Sequence, residues 1–346
     1  MNTNSNLNKA KKEKNDEFYT QYSDIEKELQ HYTQHFKDKI VICPCNDIDK
    51  NFEKYFIDNF NKLQLKKLIT VEYVPDNIHR NAWIHTKEHY ACETKQLYCN
   101  GSFNSPEVIE LIKEADIVVT NPPFSLFREF VTILMEYNKK YLIIGNMNAI
   151  TYKEIFPLIK ENKMWLGCSL NATKCHFLVS NDYENSNVFT ESGLKKAKVN
   201  NAIWFTNIDH AKRHEPLDLY KRYTPEEYPK YDNYDAINVD KVCDIPMDYD
   251  GVIGVPITFL IKYCPEQFEI TGLMSGVKHD VFINGDDGRA KFYINGKGVY
   301  ARVLIKHTIV GLLNHGSDHQ YDYAKPILNG KEKYVRLLVK QELISA

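Results

Sequence analysis

Long apolar segments are missing from this 346-residue sequence. No stretch approaches the roughly 18 consecutive apolar residues that a membrane-spanning helix requires, so we expect no contact with a membrane. The chain through Lys14 is polar and rich in lysine, and it lacks the apolar core of a secretory signal. The sequence therefore predicts a cytoplasmic protein.

Cysteine pairs at metal-binding or redox spacing are also missing. Eight cysteines are scattered along the chain, and no two stand in a Cys-x-x-Cys arrangement. This usage is typical of reduced thiols in the cytoplasm. His85, His89 and Cys92 have ligand-like spacing, but no second ligand pair stands near them. We therefore predict no metal.

A strong net charge is absent as well. The formal charge is −2, with 43% hydrophobic and 26% charged residues, which is ordinary for a globular protein. This balance neither supports nor excludes a nucleic-acid partner, because binding needs only a local basic face. The length fits one large domain or two of ordinary size.

One stretch of the chain combines a buried strand with a stiff polar loop. Residues 117–120, Ile-Val-Val-Thr, are apolar or β-branched and predict a short strand. Asn121, Pro122 and Pro123 then end the strand, because proline lacks an N–H and fixes its own φ. Phe124 follows. In open α/β sheets the carboxyl ends of the strands are where ligands bind.

Such a loop suits chemistry on an amino group of a flat ring. The lone pair of that nitrogen is delocalised into the ring, so the amine is a poor nucleophile. The Asn121 side-chain oxygen and the Pro122 carbonyl can accept its hydrogen bonds, and the Phe124 ring can stack on the base. The alternative from these residues alone is a rigid turn that only closes a βα unit.

Strands and helices alternate through residue 207. Strands are predicted at residues 39–43, 68–74, 96–99, 117–120, 140–146, 164–167, 175–179 and 202–207. Helices are predicted at residues 23–36, 49–63, 106–114, 126–137 and 151–162. This alternation predicts an α/β fold with a doubly wound, mostly parallel sheet. The later strands follow one another closely, so we expect that end of the sheet to be antiparallel.

The pattern changes near residue 209. We predict one domain of residues 1–208 and a second, irregular α+β region of residues 209–346 that ends in β-hairpins. The motif Asn-Gly-Lys-x-x-Tyr-x-Arg begins at Asn295 and again at Asn329. Each copy predicts a turn and a strand with Tyr and Arg on one face. Two similar edge hairpins are the favoured interpretation, and a Tyr/Arg face that contacts nucleic acid is the alternative.

Four features stand in an order that suits a methyl-transferring enzyme. Phe18-Tyr19-Thr20 precedes a first strand that turns at residues 43–47. A second strand carries Glu72 near its end, and the Asn121 loop comes later. The first turn lets the backbone approach the donor's amino-acid end, and the carboxylate can hold both ribose hydroxyls. The loop then holds the acceptor amine.

With these features in place, the chain resembles the EcoRI-type adenine-specific DNA modification methyltransferases. The resemblance is carried by the runs at residues 16–22, 116–129, 150–154, 229–239 and 251–260 and by the first Asn-Gly-Lys hairpin. It extends from about Lys9 through Lys306 and leaves out the second copy of that hairpin. The Asn-Pro-Pro-Phe motif is moderately specific by itself, and the runs together are highly specific.

The resemblance implies the class I methyltransferase fold, S-adenosyl-L-methionine as methyl donor, and N6 of an adenine in duplex DNA as acceptor. It assigns catalysis to the loop of Asn121, Pro122, Pro123 and Phe124. Together with the four features above, it gives these donor-binding residues: Phe18, Tyr19, Thr20, Cys43, Cys45, Asn46, Asp47, Glu72, Phe103 and Asn121. The chain departs from the wider pattern because its first turn lacks glycine and residues 100–103 lack aspartate.

The expected function is therefore site-specific methylation of a flipped adenine, as protection in a restriction-modification system. Residues 1–208 would bind the donor and catalyse, and residues 209–346 would recognise the target, chiefly through residues 209–270. A cognate endonuclease would act on the same site without forming a complex. A monomer is expected because one base is modified at a time. Methylation of RNA base amines or protein glutamine, or a catalytically dead DNA-binding fold, are the alternatives.

Overall fold

The chain divides into two compact units. The computed structural model describes residues 19–46, 50–74, 82–88, 91–169, 175–178, 188–191, 194–199, 201–274, 283–284, 290–294, 297–301 and 326–341. The first unit consists of Met1–Ile155 and Lys163–Ala211, and the second of Phe156–Asn162 and Lys212–Ala346. A short segment of the second unit therefore interrupts the first unit in sequence.

The first unit contains a large sheet with helices and a second, smaller sheet. Its α-helices are α1 (Tyr22–Leu29), α2 (Asn51–Asp58), α3 (Pro106–Glu114) and α4 (Phe127–Glu136). The strands of the large sheet are β1 (Ile40–Asn46), β2 (Lys67–Glu72), β3 (Trp83–Lys87), β4 (Cys92–Gln96), β5 (Ile117–Thr120), β6 (Lys140–Asn146), β7 (Trp165–Leu166) and β11 (Ala202–Thr206). The smaller sheet contains β8 (Cys175–Leu178), β9 (Val188–Glu191) and β10 (Leu194–Val199).

The large sheet has a parallel centre and antiparallel edges. Its strand order is β4-β3-β2-β1-β5-β6-β11-β7. The pairs β2–β1, β1–β5 and β5–β6 are parallel, and β11 runs antiparallel to both β6 and β7. The predicted doubly wound α/β fold and its antiparallel late end are confirmed. The chain winds outward in opposite directions from β1 and β5, so the switch point of the sheet lies between them.

The strand predicted at residues 96–99 is wrong. The chain instead forms an edge hairpin from β3 and β4, which pair antiparallel with each other, and β3 pairs with β2. Every residue of β4 is exposed. A strand with no buried face carries no apolar alternation, so the usual sequence signal is missing.

The helices agree with the sequence where proline fixes their start. α3 has the predicted bounds, with Pro106 at its first position after Ser105. The helix predicted at residues 151–162 is wrong, because the Thr151 hydroxyl donates to the Asn148 carbonyl at 2.8 Å and closes a 3-10 helix, Met147–Thr151. The α-helix there is only α5 (Phe156–Lys160).

Other element boundaries also differ from the prediction. α2 spans Asn51–Asp58 instead of residues 49–63. α1 begins one residue early and gives way at Gln30–His35 to a 3-10 helix. β1 does not break at Pro44 but continues to Asn46, with a register shift against β2 between Cys43 and Asn46. Proline cannot donate to the ladder, so the strand passes it through a local irregularity.

The core of the first unit lies where α1 and α2 cover one face of the large sheet. The rings of Phe52 and Trp204 meet edge to face at 6.2 Å, and those of Phe36 and Phe56 meet at 5.5 Å. All four residues of β5 are buried. A parallel strand covered on both faces reads as a continuous apolar run, which is why this strand was predictable.

The second unit is built around a four-stranded sheet. Its elements are α5, β12 (Ile237–Asn238), β13 (Ile253–Pro256), β14 (Phe268–Met274), β15 (Ile283–Asn284), β16 (Ala290–Ile294), β17 (Lys297–Ala301), β18 (Ile327–Leu328), β19 (Lys331–Glu332) and β20 (Arg336–Gln341). The sheet order is β12-β13-β20-β14, with β20 antiparallel to β13 and β14. β16 and β17 pair antiparallel up to Ile294 and Lys297, in agreement with the hairpin predicted there.

The second copy of the repeated motif begins with a small hairpin, as predicted, in which β18 and β19 pair as a separate two-stranded sheet. The turn itself is as predicted: Asn329 and Gly330 have φ of 50° and 71°, as a type I′ turn requires. The motif's Arg336, however, begins β20, which lies inside the four-stranded sheet and not in this hairpin. Tyr334 is 88% exposed and Arg336 only 8%, so the two do not share a solvent face. The Tyr/Arg nucleic-acid face is therefore wrong for this copy; Arg302 of the first copy lies outside the described residues.

Candidate active site

The carboxyl edge of the parallel strands gathers several of the predicted site residues. β1, β2 and β5 run in the same direction and end at Asn46, Glu72 and Thr120. Asn46 and Glu72 are direct register partners. The Asn121 loop leaves β5 at this edge, beside the switch point of the sheet.

The Asn121 loop is held by its own backbone and by the core. Pro122 is buried, while Asn121 and Phe124 are half-buried. Pro123 leads into a 3-10 helix, Phe124–Leu126, and its carbonyl accepts from the Leu126 N–H at 2.9 Å. Phe124 packs against the core of the first unit. The loop is therefore a fixed platform at the end of β5.

The N-terminal patch reaches this loop from more than a hundred residues away. The Asn121 side-chain Nδ2 donates to the Thr20 Oγ1 at 3.2 Å. The Thr20 carbonyl in turn accepts from the Asn51 Nδ2 at 2.9 Å, which ties the patch to the start of α2. Thr20 is fully buried, and Tyr19 is buried beside it. The structure thus brings Tyr19 and Thr20 together with Asn121, as one site requires.

A second contact joins the end of β5 to the first-strand turn. The Thr120 hydroxyl donates to the Pro44 carbonyl. Pro44 lies in the irregular part of β1, inside the register shift against β2 between Cys43 and Asn46. The two loops at the switch point therefore keep a fixed spacing.

Glu72 lies against the segment that the family pattern would fill with aspartates. Gly101 has φ of +79°, and a Cβ there would collide with the Glu72 carbonyl oxygen. The Val74 N–H donates to the Asn100 carbonyl at 2.8 Å. Only glycine permits this conformation and this close approach, so Gly101 sets the position of the residues beside Glu72.

The remaining predicted donor residues fall into three groups. Cys43 is fully buried in the core, and the Phe103 ring is buried edge to face against Phe130 at 4.9 Å. Cys45 and Asn46 lie in β1, with side chains outside the described residues. Phe18 and Asp47 lie outside the described residues altogether. Assignment of these residues to the donor stays a prediction.

Arg128 and Tyr152 form a contact near the loop that sequence reasoning did not single out. The Arg128 guanidinium lies over the Tyr152 ring at 5.1 Å, which joins the start of α4 to the loop after β6. Burial raises the pKa of the Tyr152 hydroxyl, against a smaller opposite effect of Arg128. Both residues stand inside runs that carried the family resemblance, which was the available signal.

Metal ligands do not assemble in the part of the chain that the structure describes. No group of three or more His, Cys, Asp or Glu side chains there has a metal-binding arrangement. His85 instead has its Nδ1 at 3.0 Å from the Thr94 hydroxyl, across the β3–β4 hairpin. Among the same residues, no helix has both the length and the apolar character to cross a membrane.

Comparison with known proteins gives a consistent result. The family model of the adenine-specific methyltransferase EcoRI matches residues 6–342. The Type II methyltransferase M.EcoRI of Escherichia coli is 48% identical over 328 residues, covering 88% of this chain and 97% of that protein. M.MgeORF184P of Mycoplasma genitalium and M.MpnI of Mycoplasma pneumoniae, also Type II methyltransferases, are 40% and 39% identical, each over 87% of this chain and 98% and 97% of their own lengths. No solved structure matches the chain.

The fold and the loop at its switch point define a class I methyltransferase. The chain belongs to the EcoRI family of adenine-specific methyltransferases, and it is an adenine-specific DNA methyltransferase of the restriction-modification type. Membership implies S-adenosyl-L-methionine as methyl donor and DNA as substrate. The match continues to residue 342, so the expectation that the resemblance ends at Lys306 is wrong.

Proposed function

We propose that this enzyme methylates N6 of an adenine that has been flipped out of duplex DNA. The contact between Asn121 and Thr20 carries the proposal, because it fixes an amide at the switch point of the sheet. The amine of a base that stays stacked in duplex DNA cannot reach a loop at the carboxyl edge of the sheet. The target nucleotide must therefore leave the stack.

The loop holds the adenine amine by two acceptors. Because Nδ2 of Asn121 faces Thr20, Oδ1 faces the other side of the amide and accepts from the adenine amine. The Pro122 carbonyl is the second acceptor. Two hydrogen bonds draw the nitrogen toward tetrahedral geometry and localise its lone pair. The chemistry needs no acid with a shifted pKa, and the gain is positioning and preorganised electrostatics.

Phe124 provides the surface on which the flipped base stacks. Its ring is half-buried against the core, and Pro123 before it limits its backbone motion. Flipping costs a few kcal/mol. Stacking on an aromatic ring returns about 1–3 kcal/mol per base, so one fixed ring offsets much of that cost.

The residues at the carboxyl edge fit the methyl donor. S-adenosyl-L-methionine supplies an electrophilic methyl group when bound. Glu72 provides a carboxylate at the end of β2, where a ribose diol is held in such folds, and Gly101 brings the neighbouring backbone close to it. We assign Tyr19, Thr20 and Asn121 to the donor side of the loop, with these further contacts: Phe18, Cys43, Cys45, Asn46, Asp47, Glu72 and Phe103.

A methylation assay with three acceptors tests this function. Tritiated donor is offered with duplex DNA, RNA or protein, and the labelled product is digested and identified. We expect N6-methyladenine in DNA. Label in RNA or in protein glutamine would replace the proposal with one of the alternatives, and no label in any acceptor would indicate a dead fold that only binds DNA.

Asn121→Ala tests the role of the amide in the same assay. The variant should bind the donor normally and transfer methyl groups at least about a hundredfold more slowly, the scale of one preorganised catalytic hydrogen-bonding group. Asn61→Ala, in an exposed turn after α2, is the matched control. Turnover near the wild-type rate in Asn121→Ala would remove the amide from the mechanism.

Phe124 is tested by a pair of substitutions. Phe124→Ala should weaken engagement of the target base by about 1–3 kcal/mol. Phe124→Trp, which keeps an aromatic face, should lose less. Equal losses in the two variants would contradict a stacking role.

The organisation of the reaction follows from its chemistry. We propose that residues 1–208 bind the donor and catalyse, while residues 209–346 recognise the target. One base is modified at a time, so a monomer suffices, and sedimentation of the DNA complex tests this. An endonuclease of the same specificity needs only the same DNA site, without a complex, and co-purification tests that. Bacterial DNA as substrate supports action in the cytoplasm, which cell fractionation tests.

A further inference from the structure

The smaller sheet of the first unit is connected to the large sheet at the edge that carries the catalytic loop. β7 and β6 run in the same direction, because both pair antiparallel with β11. The segment between β7 and β11 ends before Ala202, whose register partner is Asn146 at the end of β6. The chain therefore leaves the large sheet after Leu166 and rejoins it at Ala202, both times at the carboxyl edge where Asn121 lies.

The smaller sheet has one buried face. β10 lies between β8 and β9 and pairs antiparallel with both. Ala197 has Phe177 and Val188 as its two register partners. Phe177 and Ala197 are buried, and Val188 packs beside Ala197. Phe177 also belongs to the main core of the first unit, so this face packs against the rest of that unit.

The opposite face of β10 is basic. Side chains alternate along a strand, so Lys196 and Lys198 lie on the face away from Ala197. Phe189 is the register partner of Lys196 and shares that face. Lys198 is exposed, and Lys196 and Phe189 are half-buried. We call these three residues the basic face.

The basic face lies two contacts away from the catalytic amide. The Lys196 Nζ donates to the Gln21 Oε1 at 3.2 Å. Gln21 follows Thr20, whose hydroxyl accepts from Asn121. A phosphate group near Lys196 would thus lie beside the site that receives the target base.

We infer that the basic face, Phe189, Lys196 and Lys198, binds the sugar–phosphate backbone of duplex DNA beside the flipped adenine. The inference rests on the proposed function and extends it, because it places DNA contacts in the catalytic unit as well as in residues 209–346. Lysines supply charge to phosphates without reading sequence, and an aromatic ring among them adds contact area. The whole chain carries a net charge of −2, so a local cationic face is needed for this contact.

The main test is the salt dependence of DNA binding by Lys198→Gln. A duplex that the wild-type enzyme methylates and an unrelated duplex are titrated at several salt concentrations. Loss of one phosphate contact should reduce the slope of log affinity against log salt by about 1. Affinity at 0.1 M salt should fall about five- to tenfold for both duplexes alike. The Lys196→Gln/Lys198→Gln double variant should lose about twice the slope.

Two further variants and one ligand titration make the test specific. Lys198→Arg should keep the wild-type slope, since it keeps the charge. Lys66→Gln removes an exposed lysine just before β2, at the opposite edge of the sheet, and should leave the slope unchanged. Affinity for the methyl donor, measured without DNA, should be unchanged in Lys198→Gln.

The possible outcomes distinguish a failure of this inference from a failure of the proposed function on which it rests. A wild-type enzyme that does not methylate duplex DNA would overturn the proposed function. A wild-type enzyme that does, with unchanged DNA affinity and slope in both glutamine variants, would overturn the basic face alone. Weakened binding of RNA but not of duplex DNA would overturn it too. Equal losses in Lys66→Gln and Lys198→Gln would show a general charge effect and no site.

Discussion

At the scale of single residues, the orientation of the Asn121 amide depends on one hydrogen bond. An amide has a donor end and an acceptor end, and rotation by half a turn exchanges them. Thr20 Oγ1 holds the nitrogen end, and Thr20 is itself fixed by Asn51. In the mechanism that we propose, the acceptor end receives the adenine amine.

Thr20→Val should slow turnover by about fivefold, on the scale of one net hydrogen bond of about 1 kcal/mol. The valine side chain has the same shape and cannot hold the amide. Thr20→Ser keeps the hydroxyl and should restore most of the rate. Turnover and donor affinity are measured separately, and loss of donor affinity at an unchanged maximal rate would show that Thr20 only binds the donor.

Site residues that act by contacting the backbone of distant segments could not be predicted from the sequence. The Asn-Pro-Pro-Phe loop was predictable because proline dictates its own backbone geometry. Asn51 and Thr120 donate hydrogen bonds to the carbonyls of Thr20 and Pro44, which are distant in sequence. Nothing in the sequence distinguishes these two residues from other amide or hydroxyl residues. Gly101 is needed for its φ of +79° and because the Glu72 backbone passes against it.

At the scale of elements, a buried carboxylate fastens α1 to the loop after β7. Glu28 is fully buried, and its oxygens accept from the Tyr32 hydroxyl at 2.8 Å and from the backbone N–H groups of Cys168 and Ser169 at 2.8 and 2.6 Å. A Cβ on Gly167 would collide with this carboxylate. Burial, and next the charge of Glu28, raise the pKa of the Tyr32 hydroxyl. α1 begins two residues after Thr20, so this anchor supports the position of Thr20.

Glu28→Gln should lower the free energy of unfolding by about 1–3 kcal/mol, because its NH₂ group would face backbone N–H groups that need an acceptor. Urea unfolding of both proteins measures the difference. Glu26→Gln, exposed on the same helix, is the control and should change little. A loss as small as that of the control would show that the loop finds another acceptor.

In the second unit, Asp240 pairs with the central strand. Arg336 Nη2 lies 2.8 Å from Asp240 Oδ1, and Lys333 Nζ lies 3.4 Å from Oδ2. Partial burial alone would raise the pKa of the Asp240 carboxyl. Hydrogen bonds from Arg336 and Asn238 and the charge of Lys333 outweigh it, so this pKa lies below its ordinary value.

This lowered pKa predicts the direction of a pH effect. Stability from Asp240 is present above the ordinary carboxyl pKa of about 3.9 and is lost as the pH falls through the lower folded pKa. Asp240→Asn should therefore cost about 1 kcal/mol at pH 7, and its difference from wild type should shrink in more acidic solution. Unfolding at a series of pH values measures it. A pH-independent difference, or an equal loss in Asp235→Asn, which pairs with the exposed Lys230, would contradict the assignment.

At the scale of the whole molecule, an exchange of recognition regions should follow the structural units. α5 packs against β14, and β20 pairs with both β13 and β14. An exchange of residues 209–270 alone would leave β20 and α5 facing foreign partners. A chimera that takes 156–162 and 212–341 from a relative of different specificity keeps these contacts native.

We expect that chimera to fold and to methylate the relative's site. Sequencing of the methylated positions gives the readout, and thermal unfolding compares the two chimeras. A folded chimera that still methylates the original site would refute target recognition by this region. Equal stability of the 209–270 exchange would show that the strand contacts of β20 tolerate substitution.

The sequence by itself determined the elements whose signals are local. The bounds of α3 and β6, the turn at Asn329-Gly330 and the stop after β5 follow from proline, glycine and apolar runs, which act within a few residues. The family resemblance added the fold and the chemistry. These features survive any tertiary arrangement, because they are set by backbone sterics and by the residues next to them.

Only the tertiary structure decided which distant groups meet. It placed β20 at the centre of a sheet, formed an edge hairpin from the uniformly exposed β4, and joined Phe156–Asn162 to the second unit. It also brought Thr20 to Asn121 and Glu28 to Ser169. Such contacts depend on how buried polar groups find partners across the fold, and that condition leaves no periodic trace in the sequence.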